Sequence, residues 1–218
     1  MMEIRHLRLA YGSRILAQDI SFHLEGGECV LLAGANGCGK SSLLRVLAEP
    51  GGTPSAKCIL IPTNIPKVKG FTAEEFVRTG CFRESNWAGK LRPETERRLQ
   101  EALKLLGLNA LAGRDISTLS DGEFQKTCIA VGLARRAGVL LLDEPTAYLD
   151  VENRQMVLHT LRQVARETGT AVLFSSHDLA DSLAVAHRVL AFTPDGRFLE
   201  STPDTREAVL HAAFSSWR

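Results

Sequence analysis

The chain has 218 residues, 44% of them hydrophobic, with 26 basic and 25 acidic side chains and a formal net charge of +1. This length suits one α/β domain with a substantial core and is short for two independent domains. The balanced charge gives no support for a nucleic-acid partner, and we expect none. Five scattered cysteines without a C-x-x-C pair disfavour a disulfide framework and a zinc site, and they are typical of a reducing cytoplasm. The uninterrupted apolar runs, Val139–Leu142 among them, are too short to span a bilayer.

The first 28 residues are predicted to form antiparallel strands. Ile20, Phe22 and Leu24 alternate with polar residues before a Gly-Gly turn. Tyr11 lies ahead of that strand in the loop-like stretch AYGSR. It is either a half-buried packing residue or an aromatic side chain that could stack on an adenine ring, and both interpretations stay open at this point.

The next segment, residues 34–41 (GANGCGKS), fits the phosphate-binding pattern G-x-x-x-x-G-K-[ST]. It follows the apolar run Cys29–Ala33, which predicts a buried parallel strand, and it precedes residues 42–48, whose leucines recur at helical spacing. The glycines let backbone N–H groups approach a phosphate chain, and the helix start adds its positive dipole end. We therefore expect Lys40 to contact the β- and γ-phosphates and the Ser41 hydroxyl to bind a magnesium ion.

The middle of the chain is predicted to be mainly helical. Residues 49–55 are rich in glycine and proline and predict a loop. Residues 58–62 (CILIP) predict a second buried strand, which Thr63 and Asn64 follow directly. Residues 71–114 are expected to hold a short helix in EEFVRTG and a longer one that begins at Pro93.

A further helix is predicted after residues 119–123 (LSDGE). Ser120, followed three residues later by Glu123, forms a capping box, so the pattern has a purely structural explanation. A capped helix start that contains glycine is also an anion site, and a phosphate could be held there as well.

Two carboxylates end the predicted buried strand in residues 139–145 (VLLLDEP). Doubly wound sheets bind ligands at the carboxyl ends of their strands. Asp143 is expected to meet the magnesium ion, directly or through water. Glu144 is expected to accept a proton from an attacking water.

A last apolar strand is predicted in residues 170–174, after an amphipathic helix that runs to residue 167, and it ends in SSHD. A lone histidine after a strand is usually a polar loop residue, but His177 is predicted at the same sheet edge as Lys40 and Glu144. The stretch VLAFTPDGRFLES then has a hairpin signal at its Asp-Gly turn, and a short helix follows.

The order of the motifs GANGCGKS, LSDGE, VLLLDEP, AYLD and SSHD resembles the nucleotide-binding subunits of ATP-binding cassette (ABC) transporters over nearly the whole chain. LSDGE matches the signature motif of that family, normally LSGGQ. The resemblance implies an α/β fold in a single ABC ATPase domain, residues 1–218. This fold has a P-loop NTPase core with a mostly parallel sheet, a reduced N-terminal antiparallel β subdomain and a helical subdomain at about residues 71–135.

The resemblance also implies the roles of individual residues. In this family two copies pair head to tail and sandwich two ATP molecules, each between one copy's phosphate loop and the other's signature. By this similarity Tyr11 stacks on adenine, and Ser120, Gly122 and Glu123 serve the partner's nucleotide. Asp150 belongs to the loop that joins the two sites. The metal ligands are Ser41 and Asp143, the general base is Glu144, and His177 is the switch histidine that contacts the γ-phosphate. The phosphate loop consists of Gly34, Asn36, Gly37, Cys38, Gly39, Lys40, Ser41 and Ser42.

The chain departs from the family pattern after its second strand, where the family has a glutamine. Here the matching position is Thr63 or Asn64, and either side chain could bond a water on the metal; we assign Thr63. The stretch between Lys40 and residue 62 is also short, as though much of the small antiparallel subdomain had been trimmed. The signature itself carries Asp121 and Glu123 in place of glycine and glutamine.

The function that the resemblance implies is a magnesium-dependent ATPase that powers transport of a solute through separate membrane permease subunits. LSDGE, together with FTAEEFVRTG, resembles importers of iron chelates, haem and cobalamin. The expected cofactors are ATP and Mg²⁺, and the expected partners are a second copy and the permease on the inner, cytoplasmic face of the cell membrane.

The alternative is a soluble ABC ATPase in regulation, translation or repair, although such proteins usually carry two cassettes or a long coiled-coil insertion. A nucleotide kinase would share the phosphate loop but has no use for LSDGE or SSHD.

Overall fold

The structure is a computed structural model that describes residues 2–49, 57–87 and 89–214. Its strands are β1 Met2–Tyr11, β2 Arg14–Leu24, β3 Cys29–Ala33, β4 Cys58–Ile61, β5 Val139–Leu142, β6 Ala171–Ser175, β7 Arg188–Phe192 and β8 Phe198–Glu200. Its α-helices are α1 Lys40–Ala48, α2 Ala73–Gly80, α3 Pro93–Leu105, α4 Asp121–Ala134, α5 Val151–Thr168, α6 Leu179–Val185 and α7 Arg206–Ala213. Short 3-10 turns lie at Phe82–Glu84, Asn109–Leu111 and Ile116–Thr118.

In the described part of the chain a six-stranded sheet forms the centre, in the order β4-β5-β6-β3-β7-β8. Neighbouring strands are parallel except β7 and β8. Along β5, Leu140 and Leu142 join the hydrophobic cluster on one face, while Val139 and Leu141 join the cluster on the other. The apolar run is continuous because the strand is buried on both faces. The sheet also brings the carboxyl ends of β3, β5 and β6 to one edge, and the predicted motifs follow those ends directly.

The N-terminal strands β1 and β2 form a separate antiparallel pair, which confirms the predicted antiparallel element. Their buried side chains share a cluster with α1 and one face of the central sheet. Tyr11 differs from the prediction, because it is the last residue of β1 and pairs with Arg14 of β2 rather than lying in a loop. A two-residue turn containing Gly12, with φ of 58°, is enough to reverse the chain there.

The helices between the second and third core strands form where the sequence predicts them. The stretch EEFVRTG lies in α2, and α3 begins with Pro93 in its first turn. Gly107 follows α3 with φ of 67°, a conformation that ends a helix at low cost. The capping box of Ser120 and Glu123 at the start of α4 is confirmed. The subdomain boundaries at about 71–135 stay a prediction.

The remaining predicted elements are confirmed with small shifts at their ends. Asp150 caps α5, so this helix begins at Val151, and β7 and β8 form the predicted hairpin. The predicted loop at 49–55 lies outside the described residues from residue 50 onward. All five cysteines are within the described ranges, and none of them forms a disulfide. Among the described helices, none has the length and apolar character needed to cross a bilayer.

Candidate functional site

A cleft of about 410 Å³ opens where the carboxyl edge of the sheet meets the β1–β2 turn. The residues that line it are Tyr11, Arg14, Leu16, Asn36, Gly37, Gly39, Lys40, Ser41, Ser42, Glu144 and His177. The fold therefore gathers residues from four separate motifs around one space. Arg14 and Leu16 were not predicted, because they carry no motif and reach the cleft only through the hairpin that also presents Tyr11.

The phosphate loop turns tightly between β3 and α1. Gly34, Gly37 and Gly39 have φ values of 142°, 74° and 117°, which L side chains rarely adopt. A Cβ atom on Gly34 would also lie 2.8 Å from Sγ of Cys38. Helix α1 begins at Lys40, immediately after this turn, so its unpaired N–H groups and positive dipole end lie at the cleft.

Lys40 is almost fully buried, with 6% of its surface exposed. Its Nζ donates hydrogen bonds to the carbonyl oxygens of Gly34, at 2.8 Å, and Ala35, at 3.2 Å. These bonds use two of the three ammonium donors and hold the charge over the loop. The arrangement places a fixed positive charge beside the backbone that would bind phosphate.

Cys38 is in the phosphate loop, but its side chain is not among the described residues that line the cleft. It packs against the cluster that contains β1, β2 and α1. Burial raises the pKa of the Cys38 thiol, and the nearby Lys40 ammonium offsets only part of this effect. A raised pKa keeps the thiol protonated near neutral pH, so its sulfur carries no charge beside the loop.

Ser175, the last residue of β6, joins the two carboxylate residues that follow β5. Its Oγ donates to Oδ1 of Asp143 at 2.9 Å and accepts a hydrogen bond from the backbone N–H of Glu144 at 2.9 Å. Asp143 is buried, and Glu144 has a positive φ of 49°. Such strained backbone persists only where surrounding contacts hold it, and it is frequent at active sites. Ser175 was not predicted as a site residue, although a hydroxyl at the end of an otherwise apolar strand is a visible signal in the sequence.

His177 and Glu144 are in direct contact across the sheet edge. Nε2 of His177 lies 2.5 Å from Oε1 of Glu144, and 54% and 20% of these side chains are exposed. Both residues also line a neighbouring cavity of about 620 Å³. The pair can therefore meet water from one side and a ligand in the cleft from the other.

Thr63 lies beside the carboxylates at the end of β4. Its Oγ1 donates to the carbonyl oxygen of Asp143 at 2.9 Å. Among the described residues, no group of three or more histidine, cysteine, aspartate and glutamate side chains could hold a metal ion. Mg²⁺ is usually bound through one or two carboxylates, water and substrate phosphates, so a buried carboxylate and a hydroxyl are a fitting set of donors. Asp143 has such a carboxylate and Ser41 such a hydroxyl, and their role as metal ligands stays a prediction.

The residues expected to serve a second subunit lie apart from the cleft. The described residues that line it do not include Ser120, Gly122, Glu123 or Asp150. Ser120 and Asp150 cap α4 and α5. A Cβ atom on Gly122 would lie 2.7 Å from Oδ1 of Asn153, so the two helix starts pack closely. Their role at the nucleotide of a second copy stays a prediction.

Arg154 connects the loop before α5 to the segment after His177. Its guanidinium pairs with the carboxylate of Asp178, and its Nη2 lies 3.4 Å from the carbonyl oxygen of Leu149. Asp178 also caps α6 through the N–H of Asp181. The sequence offers no sign of this contact, since Arg154 looks like one more charged residue on an amphipathic helix.

A glycine-rich loop between a buried strand and a helix, facing two carboxylates at the same sheet edge, defines a P-loop NTPase. The ABC transporter family profile matches residues 17–147. The iron(3+)-hydroxamate import ATP-binding protein FhuC of Bacillus subtilis is 31% identical over 233 residues, with 95% of this chain and 87% of the relative covered. The hemin import ATP-binding protein HmuV of Streptomyces coelicolor is 35% identical over 219 residues, with 90% and 76% covered.

A solved structure has the same fold. It is an ABC transporter of the metal-chelate type in an inward-facing conformation, and it matches with a TM-score of 0.85 and 26% identity over 98% of this chain and 88% of that chain. The chain belongs to the ABC transporter family. It is an ATP-binding, ATP-hydrolysing subunit whose activity is coupled to transport, and the non-transport alternative is not favoured.

Proposed function

We propose that this chain powers an importer for an iron chelate, such as a siderophore complex, or for haem. The observation that carries the ATPase chemistry is the single cleft that gathers Lys40, Glu144 and His177. The substrate class is supported by relatives named for iron(3+)-hydroxamate and hemin import. Cobalamin is the substrate that a direct test should compare with these two.

The nucleotide is proposed to bind one domain, residues 1–218, through the predicted residues. Tyr11, 72% exposed at the mouth of the cleft, has a free face for an adenine ring. The phosphates lie along the loop and the start of α1, with Lys40 on the β- and γ-phosphates. Asp143 and Ser41 hold Mg²⁺, which neutralises phosphate charge when bound. Thr63 helps to hold Asp143 in place by donating a hydrogen bond to the carbonyl oxygen of Asp143.

Hydrolysis is proposed to begin with Glu144, which accepts a proton from a water as that water attacks the γ-phosphate in line. His177 contacts the γ-phosphate and, through its bond to Glu144, orients the carboxylate. Ser175 fixes both carboxylate residues, so the base is already positioned before the nucleotide arrives. The geometry favours this assignment because both acids come from the same strand end.

The partners are proposed to be a second copy and the permease subunits. The second copy supplies Ser120, Gly122 and Glu123 to the nucleotide, and Asp150 links the two sites.

A groove of about 270 Å³ lies beside α2 and is lined by Phe71 and Phe82, which are 40% and 70% exposed. Such exposed aromatic surface is typical of an interaction face, and we assign it to the permease. The chain would then lie on the inner face of the membrane.

Magnesium-dependent ATP hydrolysis by the purified chain, measured over a range of protein concentrations, tests the proposal. We expect turnover that rises more than linearly with protein, together with an ATP-bound dimer of the Glu144→Gln variant. Absence of hydrolysis at every concentration, both alone and with co-expressed permease subunits, would contradict it. Stimulation of the assembled complex by a binding protein loaded with ferric siderophore, haem or cobalamin separates the three substrates.

A further inference from the structure

Lys67 reaches from the segment after β4 to the signature residues 119–123. Its Nζ lies 2.8 Å from the carbonyl oxygen of Leu119 and 2.6 Å from Oδ1 of Asp121. The ammonium therefore contacts the residues on both sides of Ser120. It also lies 5.6 Å from the ring centroid of Phe124, so the side chain rests on the first turns of α4. Only 24% of the Lys67 side chain is exposed.

The first turn of α4 carries two acidic residues, Asp121 and Glu123. Negative charge at this position stabilises a helix but opposes the binding of a phosphate to the same N–H groups. The Glu123 carboxylate is occupied by the backbone N–H of Ser120, at 2.8 Å. The Asp121 carboxylate is paired with Lys67. Lys67 thus offsets the charge of Asp121, and the N–H of Ser120 holds the Glu123 carboxylate in place.

The segment that carries Lys67 is anchored at its other end by Thr63, which bonds to the carbonyl oxygen of Asp143. One short segment therefore contacts Asp143, the residue before Glu144 of the chain's own cleft, and the loop assigned to the partner's nucleotide. Neither contact is visible in a local pattern, because Lys67 and Asp121 are 54 residues apart.

We propose that Lys67 is a positioning residue for the signature loop. It fixes the carbonyl of Leu119 and the carboxylate of Asp121 on either side of Ser120, and it neutralises Asp121, so that this loop accepts the phosphate of the nucleotide held by the partner subunit. This inference rests on the head-to-tail dimer proposed above. Lys67 lies outside the motifs named above. Its charge explains how a signature motif with two acidic residues can bind the phosphates of ATP.

The test uses the full chain with Glu144→Gln, which traps the ATP-bound dimer, and measures the concentration of Mg-ATP at half-maximal dimerisation by analytical ultracentrifugation. Lys67→Met keeps an apolar stem over Phe124 and removes the charge together with its bonds to Leu119 and Asp121. We expect this variant to need roughly fivefold more ATP, because a partly exposed ion pair is lost at each of two equivalent sites. Lys67→Arg, which preserves the charge, should stay within twofold of the parent.

A second substitution that restores dimerisation would show that Lys67 acts by neutralising Asp121 and not only by supporting the fold. Adding Asp121→Asn to Lys67→Met removes the unpaired carboxylate and should restore most of the lost dimerisation. Lys69→Ala is the matched control, because it removes a nearby lysine whose charge acts on Asp115 instead. A Lys67→Met variant within twofold of the parent, or a double variant no better than Lys67→Met, would overturn the role of Lys67 alone. A parent that never dimerises with ATP would overturn the proposed dimer and this inference with it.

Discussion

Nε2 of His177 lies 2.5 Å from Oε1 of Glu144, and this contact joins the segments that follow β6 and β5. The Glu144 backbone N–H is held by Ser175 of the same strand β6. The proposed general base is thus held at its backbone by the end of β6 and at its carboxylate by the segment that follows β6. Because the Glu144 backbone is held by the buried Ser175 hydroxyl, substitutions of its side chain should change chemistry more than folding.

Replacing Glu144 with glutamine should abolish most turnover and leave ATP binding intact. The amide keeps the shape of the side chain and can still accept a hydrogen bond from His177, but it cannot take a proton from water. We expect the rate of hydrolysis to fall about 100-fold or more, while ATP affinity by equilibrium titration changes less than about twofold. Near-normal hydrolysis in this variant would remove Glu144 from the role of base.

Replacing Lys40 with alanine should weaken ATP binding itself. The side chain holds a buried charge against the loop carbonyls of Gly34 and Ala35, and a phosphate would lose its strongest direct partner. A loss of about tenfold or more in affinity is expected from one charge-assisted hydrogen bond, as measured by isothermal titration calorimetry. Arg45→Ala, on the exposed side of the same helix, is the matched control and should bind ATP normally. Unchanged affinity in Lys40→Ala would count against the phosphate-loop assignment.

Replacing Arg154 with alanine should lower kcat with little change in KM. Its guanidinium ties Asp178, next to His177, to the loop that follows Glu144, so its loss loosens the geometry of both. We expect a fall in kcat of about tenfold, because small displacements of catalytic groups are costly. Arg162→Ala is a sharp control, since Arg162 lies on the same helix and also contacts the segment of α6, at the carbonyl of Ala184. Equal effects of the two variants would show that Arg154 acts only through stability.

Replacing Gly132 with alanine should destabilise the fold. A Cβ atom there would lie 2.2 Å from Cδ2 of Leu140, which is fully buried in β5 and would have to shift. Overpacking of this kind costs about 1–3 kcal/mol, which urea unfolding can resolve. Gly113→Ala is the control, because a Cβ atom at that position meets nothing within 4 Å. Equal stability of Gly132→Ala and the wild type would mean that α4 and β5 adjust more readily than their packing indicates.

Glu28 should make stability depend on pH in the acid range. Burial alone would raise the pKa of Glu28, but hydrogen bonds from Arg188 and from the N–H of Glu25 hold it below its ordinary value of 4.5. A carboxyl whose folded pKa is lowered adds stability above its unfolded pKa, and this stability is lost as the pH falls through the folded pKa. We expect Glu28→Gln to be less stable at pH 7 by about 1–2 kcal/mol, with the difference shrinking as the pH falls below 4.5. Urea unfolding across this range checks it.

The exposed Glu3 provides the control for that pH series, because 47% of its side chain is exposed and its ion pair with Arg5 is local. Glu3→Gln should have the same stability and the same acid dependence as the wild type. A constant gap between Glu28→Gln and the wild type from pH 7 to pH 3 would contradict the role of the Glu28 charge.

The sequence by itself determined the elements and the motifs. Phosphate loop, capping boxes and helix ends are local patterns, and the continuous apolar runs of β3, β5 and β6 predict strands buried on both faces. Because parallel strands end at one edge, the residues that follow those runs, including Lys40, Glu144 and His177, could be predicted to meet from the position of each motif after its strand.

Only the tertiary structure decided which side chains outside the motifs hold that site together. Ser175 contacts Asp143 at a separation of 32 residues, Arg154 contacts Asp178 at 24, and Lys67 contacts Asp121 at 54. The same structure turned the Cys38 thiol away from the cleft and brought Tyr11 to its mouth at the end of β1. Hydrophobic and capping patterns reflect interactions between residues that are close along the chain. A polar contact between distant residues depends instead on the order of strands in the sheet and on which surfaces that order brings together.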